Sequence, residues 1–127
     1  MSEALIRKVD CLSLPVADLE KALSFYQDKL GHDLIWRSET AAGLRLPDTD
    51  AELVIHTESR PQAAELFVAS VSDAVERFVN AGGSLFSGPF EVPIGQCAVV
   101  GDPWGNALVL LDMSKGPLRT DEAGNVI

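Results

Sequence analysis

Residues 9–31, VDCLSLPVADLEKALSFYQDKLG, decide the fold, because two different periodicities meet inside them. Up to Val16 apolar residues alternate with small or polar ones, the period-two pattern of a strand with one buried face. Asp18 then stands where a helix N-cap belongs. Leu19, Ala22, Leu23, Tyr26 and Leu30 recur at helical spacing as far as Gly31, where a chain can leave a helix through a left-handed residue. Three short strands are predicted next, at 33–38 (DLIWRS), 42–46 (AGLRL) and 52–57 (ELVIHT), the last two separated by the turn-rich Pro47-Asp48-Thr49-Asp50.

The same order restarts after residues 58–62, ESRPQ, a polar stretch with a proline that reads as a linker. Leu66 to Val71 reads as a strand, and Asp73 as the next cap with Glu76 as its capping-box partner. Val75, Phe78 and Val79 form a stripe that ends at Gly82-Gly83. Strands follow at 84–86, 96–100 and 107–112. A shift of 55 residues lays Leu12–Asp18 on Phe67–Asp73, so the chain reads as duplicated. The prediction is a single α+β domain of two βαβββ modules, about 9–57 and 65–112, followed by a C-terminal tail at 113–127. A helix covers one sheet face of each module. The other faces are expected to form a concave mixed-sheet cleft, the place for a small ligand.

Composition narrows the function. The 127 residues carry 10 Lys plus Arg against 19 Asp plus Glu, a formal charge of −9 without any basic cluster. Counterion release cannot drive nucleic-acid binding by such a surface, and an anionic membrane repels it. The early residues alternate rather than forming an apolar signal segment, and no stretch is long enough to span a bilayer, so a cytoplasmic protein is expected. Two cysteines, Cys11 and Cys97, fall in separate strand-like segments and read as thiols, with a reversible disulfide as the alternative.

The chain resembles the vicinal oxygen chelate superfamily, which includes glyoxalase I, extradiol dioxygenases, and the bleomycin and fosfomycin resistance proteins. The resemblance is carried by residues 9–31, by ELVIHT, by the second strand and helix from Leu66 to Gly83, and by GDPWGNALVLLD. It implies the glyoxalase/bleomycin resistance/dioxygenase-like fold and a homodimer. In metal-using members four strand-borne side chains, two per module, hold a divalent ion. Carried over by resemblance, those positions are Cys11, Glu52, Leu66 and Val109. Leu66 and Val109 offer no lone pair, whereas zinc takes at least three protein ligands. No metal or other cofactor is therefore expected.

The remaining candidates are weighed by chemistry. Glu52 opens an apolar strand and can act as a general base or bind a cationic ligand. His56, four residues further on, can shuttle a proton. These two are the catalytic candidates, against plain readings as a solvated strand end and a rim histidine. Cys11, Trp36, Arg45, Glu52 and Trp104 are the ligand-binding candidates: a thiol on the cleft face, two aromatic surfaces for stacking, and a guanidinium able to fork onto a carboxylate. Phe86 and Phe90 add aromatic surface that core packing also explains. His32, next to Gly31, is expected to meet the last carbonyls of the first helix. The tail carries no catalytic signature.

The reading favoured by the sequence is a protein that binds a small apolar or aromatic molecule in a metal-free cleft. One alternative is a metal-dependent lyase or dioxygenase-like enzyme with an atypical ligand set including Glu52. The other is a non-catalytic interaction module whose cleft is filled by its own side chains.

Overall fold

The computed structural model describes residues 3–127, which form eight strands and two α-helices. The chain divides into two compact units, residues 10–63 with 119–127, and residues 64–118 with the N-terminal stretch as far as Val9.

In the unit that holds the first module, β1 (Lys8–Pro15) leads to α1 (Leu19–Leu23), and then to β2 (Leu34–Arg37), β3 (Ala41–Arg45) and β4 (Glu52–His56). The strands lie in the order β2-β3-β4-β1, with β1 parallel to β4 and the other pairs antiparallel. Asp18 caps α1 by accepting the Lys21 N–H at 3.0 Å. Leu19, Ala22 and Leu23 pack on Ala42, Leu44 and Ile55, with Leu14, Tyr26, Leu34 and Leu53 around them. Burying one such leucine is worth about 2 kcal/mol, so this face carries the unit's stability.

The predicted helix runs on past Leu23, but in wider form. From Ser24 to Lys29 it is π-helical, and the Leu30 N–H reaches back to the Phe25 carbonyl at 3.1 Å. The wider turn rotates the residues beyond it, so Tyr26 stays on the core while Leu30 is turned out to 53% exposure. Gly31 leaves the helix at φ +83°, as its position predicts. The His32 backbone N–H meets the Tyr26 carbonyl, but its ring does not cap the helix: Nδ1 lies 3.0 Å from the Arg45 carbonyl on β3.

The other unit repeats the plan, with β5 (Ala63–Phe67), α2 (Val71–Asn80), β6 (Ser84–Val92), β7 (Gly95–Gly101) and β8 (Ala107–Leu111), the strands in the order β5-β8-β7-β6. Its core places Val71 and Ala74 of α2 on Ala98, Val100 and Leu110, with Leu66 packed against them.

The duplication holds, but its offset is corrected. Ser70, not Asp73, caps α2: its backbone is extended and its hydroxyl accepts the Asp73 N–H at 3.3 Å. The two caps, Asp18 and Ser70, are therefore 52 residues apart. The same spacing separates Val16 and Val68, whose N–H groups bond the carbonyls of the last residues of β4 and β8, His56 and Leu111. The β-branched Val71 resembles a strand end in sequence and hides the start of the helix.

Asp112, only 2% exposed, accepts hydrogen bonds from the backbone N–H groups of Val71, Gln96 and Ser114 and from the Ser114 hydroxyl. It ties the start of α2 to β7. Burial raises its pKa, but these donors outweigh that and hold the carboxyl below its ordinary value.

The tail is more ordered than its composition suggests. Residues 121–125, DEAGN, repeat the loop made by 102–106, DPWGN. In each, an Asp accepts the backbone and side-chain N–H groups of an Asn four residues on, and the Gly between them takes a positive φ. The loop at 121–125 turns a small hairpin back onto β2: Arg37 N–H bonds the Gly124 carbonyl and the Val126 N–H bonds the Arg37 carbonyl, both at 2.8 Å.

Candidate functional site

The sheet face of the first module turned away from α1 gathers four of the five ligand-binding candidates. Register places Arg45 beside Glu52 across β3 and β4, and Glu52 beside Cys11 across β4 and β1. Adjacent paired residues point their side chains to one face, with Cβ atoms about 5 Å apart. Trp36, on β2, completes the row by donating its indole Nε1–H to Glu52 Oε1 at 2.7 Å.

The bond crosses the whole width of β3 because residue 43 is glycine. A Cβ there would collide with the Trp36 ring and lie 2.6 Å from Glu52 Oε1. Gly43 is thus part of the site, although in sequence it reads only as a small residue within a strand. Glu52 is correspondingly not a solvated strand end. It is half-buried, and an indole N–H, which can only donate, fixes one of its oxygens.

The row grades from open to closed. Arg45 is exposed and Trp36 and Glu52 are half-buried, whereas Cys11 and Val54 are buried and Ser13 and His56 are wholly so. His56 is therefore not a rim histidine. It lies fully buried at the far end of β4, and its Nδ1 accepts the Glu58 N–H at 3.2 Å, which places the ring proton on Nε2. Four residues of strand separate it from Glu52, roughly 13 Å at about 3.3 Å per residue, so the two do not work on one atom together.

The predicted linker does more than connect. Arg60 donates to Glu58 Oε1 at 3.0 Å and to Ser13 Oγ at 3.3 Å, while Thr40 donates to Glu58 Oε2 at 3.0 Å. Burial raises the Glu58 pKa, and the bonds from Arg60 and Thr40 more than offset it, leaving the carboxyl below its usual value. No periodicity reveals this clasp, because it joins an irregular segment to a strand 47 residues earlier.

Trp104 is not part of the row. It tops the DPWGN turn of the other unit, 83% exposed, where Asp102 Oδ1 accepts the N–H groups of Trp104 and Asn106 and Gly105 takes φ +89°. Phe86 lies over Gly101 on its own strand pair.

Comparison with known proteins now decides the family. The model of the Glyoxalase/Bleomycin resistance protein/Dioxygenase superfamily matches residues 8–110. The chain belongs to this superfamily. Methylmalonyl-CoA epimerase from Mycobacterium tuberculosis superposes with a TM-score of 0.69 at 18% identity, over 90% of this chain and 93% of that one. Homoprotocatechuate 2,3-dioxygenase from Brevibacterium fuscum gives 0.61 at 24% identity, over 85% of this chain and 37% of the dioxygenase. The Mn(II)-bound glyoxalase from Novosphingobium aromaticivorans gives 0.61 at 19%, over 92% and 42%. At these identities the likeness is one of fold. A comparison with curated proteins returns no match.

The glyoxalase among these structures holds Mn(II), so the superfamily's four metal positions need testing in this chain. The corrected offset of 52 residues moves the counterpart of Cys11 from Leu66 to Ala63. Leu66 is thereby corrected: it packs in the core under α2, and Glu65, which pairs with Val109, stands on the opposite face. The four positions are then Cys11, Glu52, Ala63 and Val109. Two have no donor atom and Glu52 has one oxygen committed to Trp36. These four side chains do not fit a divalent ion held in the superfamily's manner.

Among the described residues, no helix is long and apolar enough to cross a membrane.

Proposed function

We propose that the protein binds a small, partly apolar or aromatic molecule on the sheet face of its first module, without a divalent metal. The observation that carries this reading is the row Trp36, Arg45 and Glu52. It sets an aromatic surface, an exposed cation and an oriented carboxylate side by side on a rigid sheet, the mixture that small-molecule sites use. The buried half of the face, at Cys11, Ser13, Val54 and His56, confines the ligand to the β2–β3 side.

Glu52 supplies the chemistry available there. Its Oε1 is held by the indole, and Oε2 takes no hydrogen bond among the described residues, so that oxygen can accept a proton or a donor from a bound molecule. A second reading, a lyase or dioxygenase-like enzyme with an atypical metal set, draws on Glu52 standing beside Cys11 at two superfamily positions.

One preparation tests both. Protein purified without chelators is examined by native mass spectrometry and elemental analysis, then by thermal shift against a metabolite panel beside Trp36→Ala. The proposal expects substoichiometric metal and at least one metabolite that stabilises the wild type but not the variant. Stoichiometric zinc, nickel, manganese or iron overturns it in favour of the second reading.

A further inference from the structure

Four basic side chains of this acidic protein are spent on glutamates: Arg7 on Glu3, Arg37 on Glu20, Arg60 on Glu58 and Lys115 on Glu91. Arg45 is different. Its neighbour across the strands is Glu52, yet Glu52 bonds the Trp36 indole, and among the described residues Arg45 makes no ion pair. Its backbone, by contrast, is fixed at both ends. The Arg45 N–H bonds the Asp33 carbonyl at 2.8 Å and the Arg45 carbonyl lies 3.0 Å from His32 Nδ1. A planar fork of donors is thus mounted on a rigid strand end, exposed, beside an aromatic ring.

We infer that the ligand is an organic acid whose carboxylate is bound by Arg45, with a hydroxyl or amine donating to Glu52 Oε2 and its apolar body against Trp36. This inference rests on the site proposed above. A guanidinium matches a carboxylate through two parallel hydrogen bonds, and a neutral amide in its place keeps the shape but loses the charge. The trio selects for separation as well as charge. The acid group must lie on the β3 side of the donor group, because register puts Arg45 on β3 and Glu52 on β4, about 5 Å apart at Cβ. A dicarboxylate is disfavoured, since its second acid would face Glu52.

The test uses a matched pair, phenyllactate and phenyllactamide, titrated by calorimetry into the full chain and into Arg45→Gln, an exposed substitution that leaves the core untouched. The inference expects phenyllactate to bind the wild type at least about tenfold tighter than phenyllactamide, with that preference lost in Arg45→Gln. Equal binding of acid and amide, unaltered by Arg45→Gln, overturns the acid specificity and leaves the site standing. No binding of either compound to the wild type at millimolar concentration overturns the inference, and if Trp36→Ala also fails to alter any thermal shift across the metabolite panel, the site falls with it.

Discussion

Trp36 donates its indole N–H to Glu52 across an intervening strand, at 2.7 Å, through a gap left by Gly43. Three strands contribute one residue each, and the bond exists only if all three are as they are. A carboxylate fixed this way is oriented before any ligand arrives, which removes part of the ordering cost of binding.

Replacing the donor tests the bond's weight. Trp36→Phe keeps an aromatic ring but leaves Glu52 without its partner. A loss of about 1 kcal/mol is expected, a fall in Tm of about 4 °C for a domain of this size, read by urea denaturation and by calorimetry.

Gly43→Ala should cost more, about 1–3 kcal/mol, because the new methyl strikes the indole and the carboxylate together. The two effects are coupled through one contact. In the Trp36→Ala background Gly43→Ala should therefore cost markedly less, and a double-mutant cycle reads the difference. Additive losses would place the strain elsewhere.

Asp112 makes stability depend on pH in a definite direction. Its folded pKa lies below the ordinary 3.8, so its contribution is fully present above that value and is lost as the pH falls through the folded pKa. Asp112→Asn removes the charge that three backbone N–H groups favour, and should lower stability at neutral pH while flattening the acid limb of the stability curve. Denaturation midpoints measured between about pH 2 and pH 7 compare the two profiles.

Deletion of residues 119–127 uncovers the Arg37 N–H and carbonyl on the edge of β2. An uncovered edge strand can pair with another chain. The truncated protein should exchange its Arg37 amide faster and associate with rising concentration, as hydrogen exchange and light scattering will show. The full chain should do so less at the same concentrations.

Much of the fold was legible because its signals are local. The alternation before Val16, the cap at Asp18 and the left-handed exit at Gly31 all follow from neighbouring residues, and so does the DPWGN turn. The misplaced cap of α2 is local too, but Val71 suits both a strand and a helix, and only the Ser70 hydrogen bond separates them. That error of three residues carried the superfamily's metal position from Ala63 to Leu66, since every register depends on its anchor. The site was legible as residue types and illegible as a constellation. Trp36, Arg45 and Glu52 each suggested binding, but what joins them is strand register and a glycine window, both non-local. His56 looked available because it ends a strand, and its complete burial depends on packing that the sequence pattern does not carry.

The most direct check on the proposed site is the Trp36 indole resonance itself, recorded by NMR in Trp104→Phe so that one indole remains. Titration with a molecule that stabilises the protein should move that resonance saturably, with the same affinity that calorimetry gives, and Glu52→Gln should shift its starting position and weaken the binding. A ligand that binds tightly while leaving the Trp36 indole where it was would contradict the account.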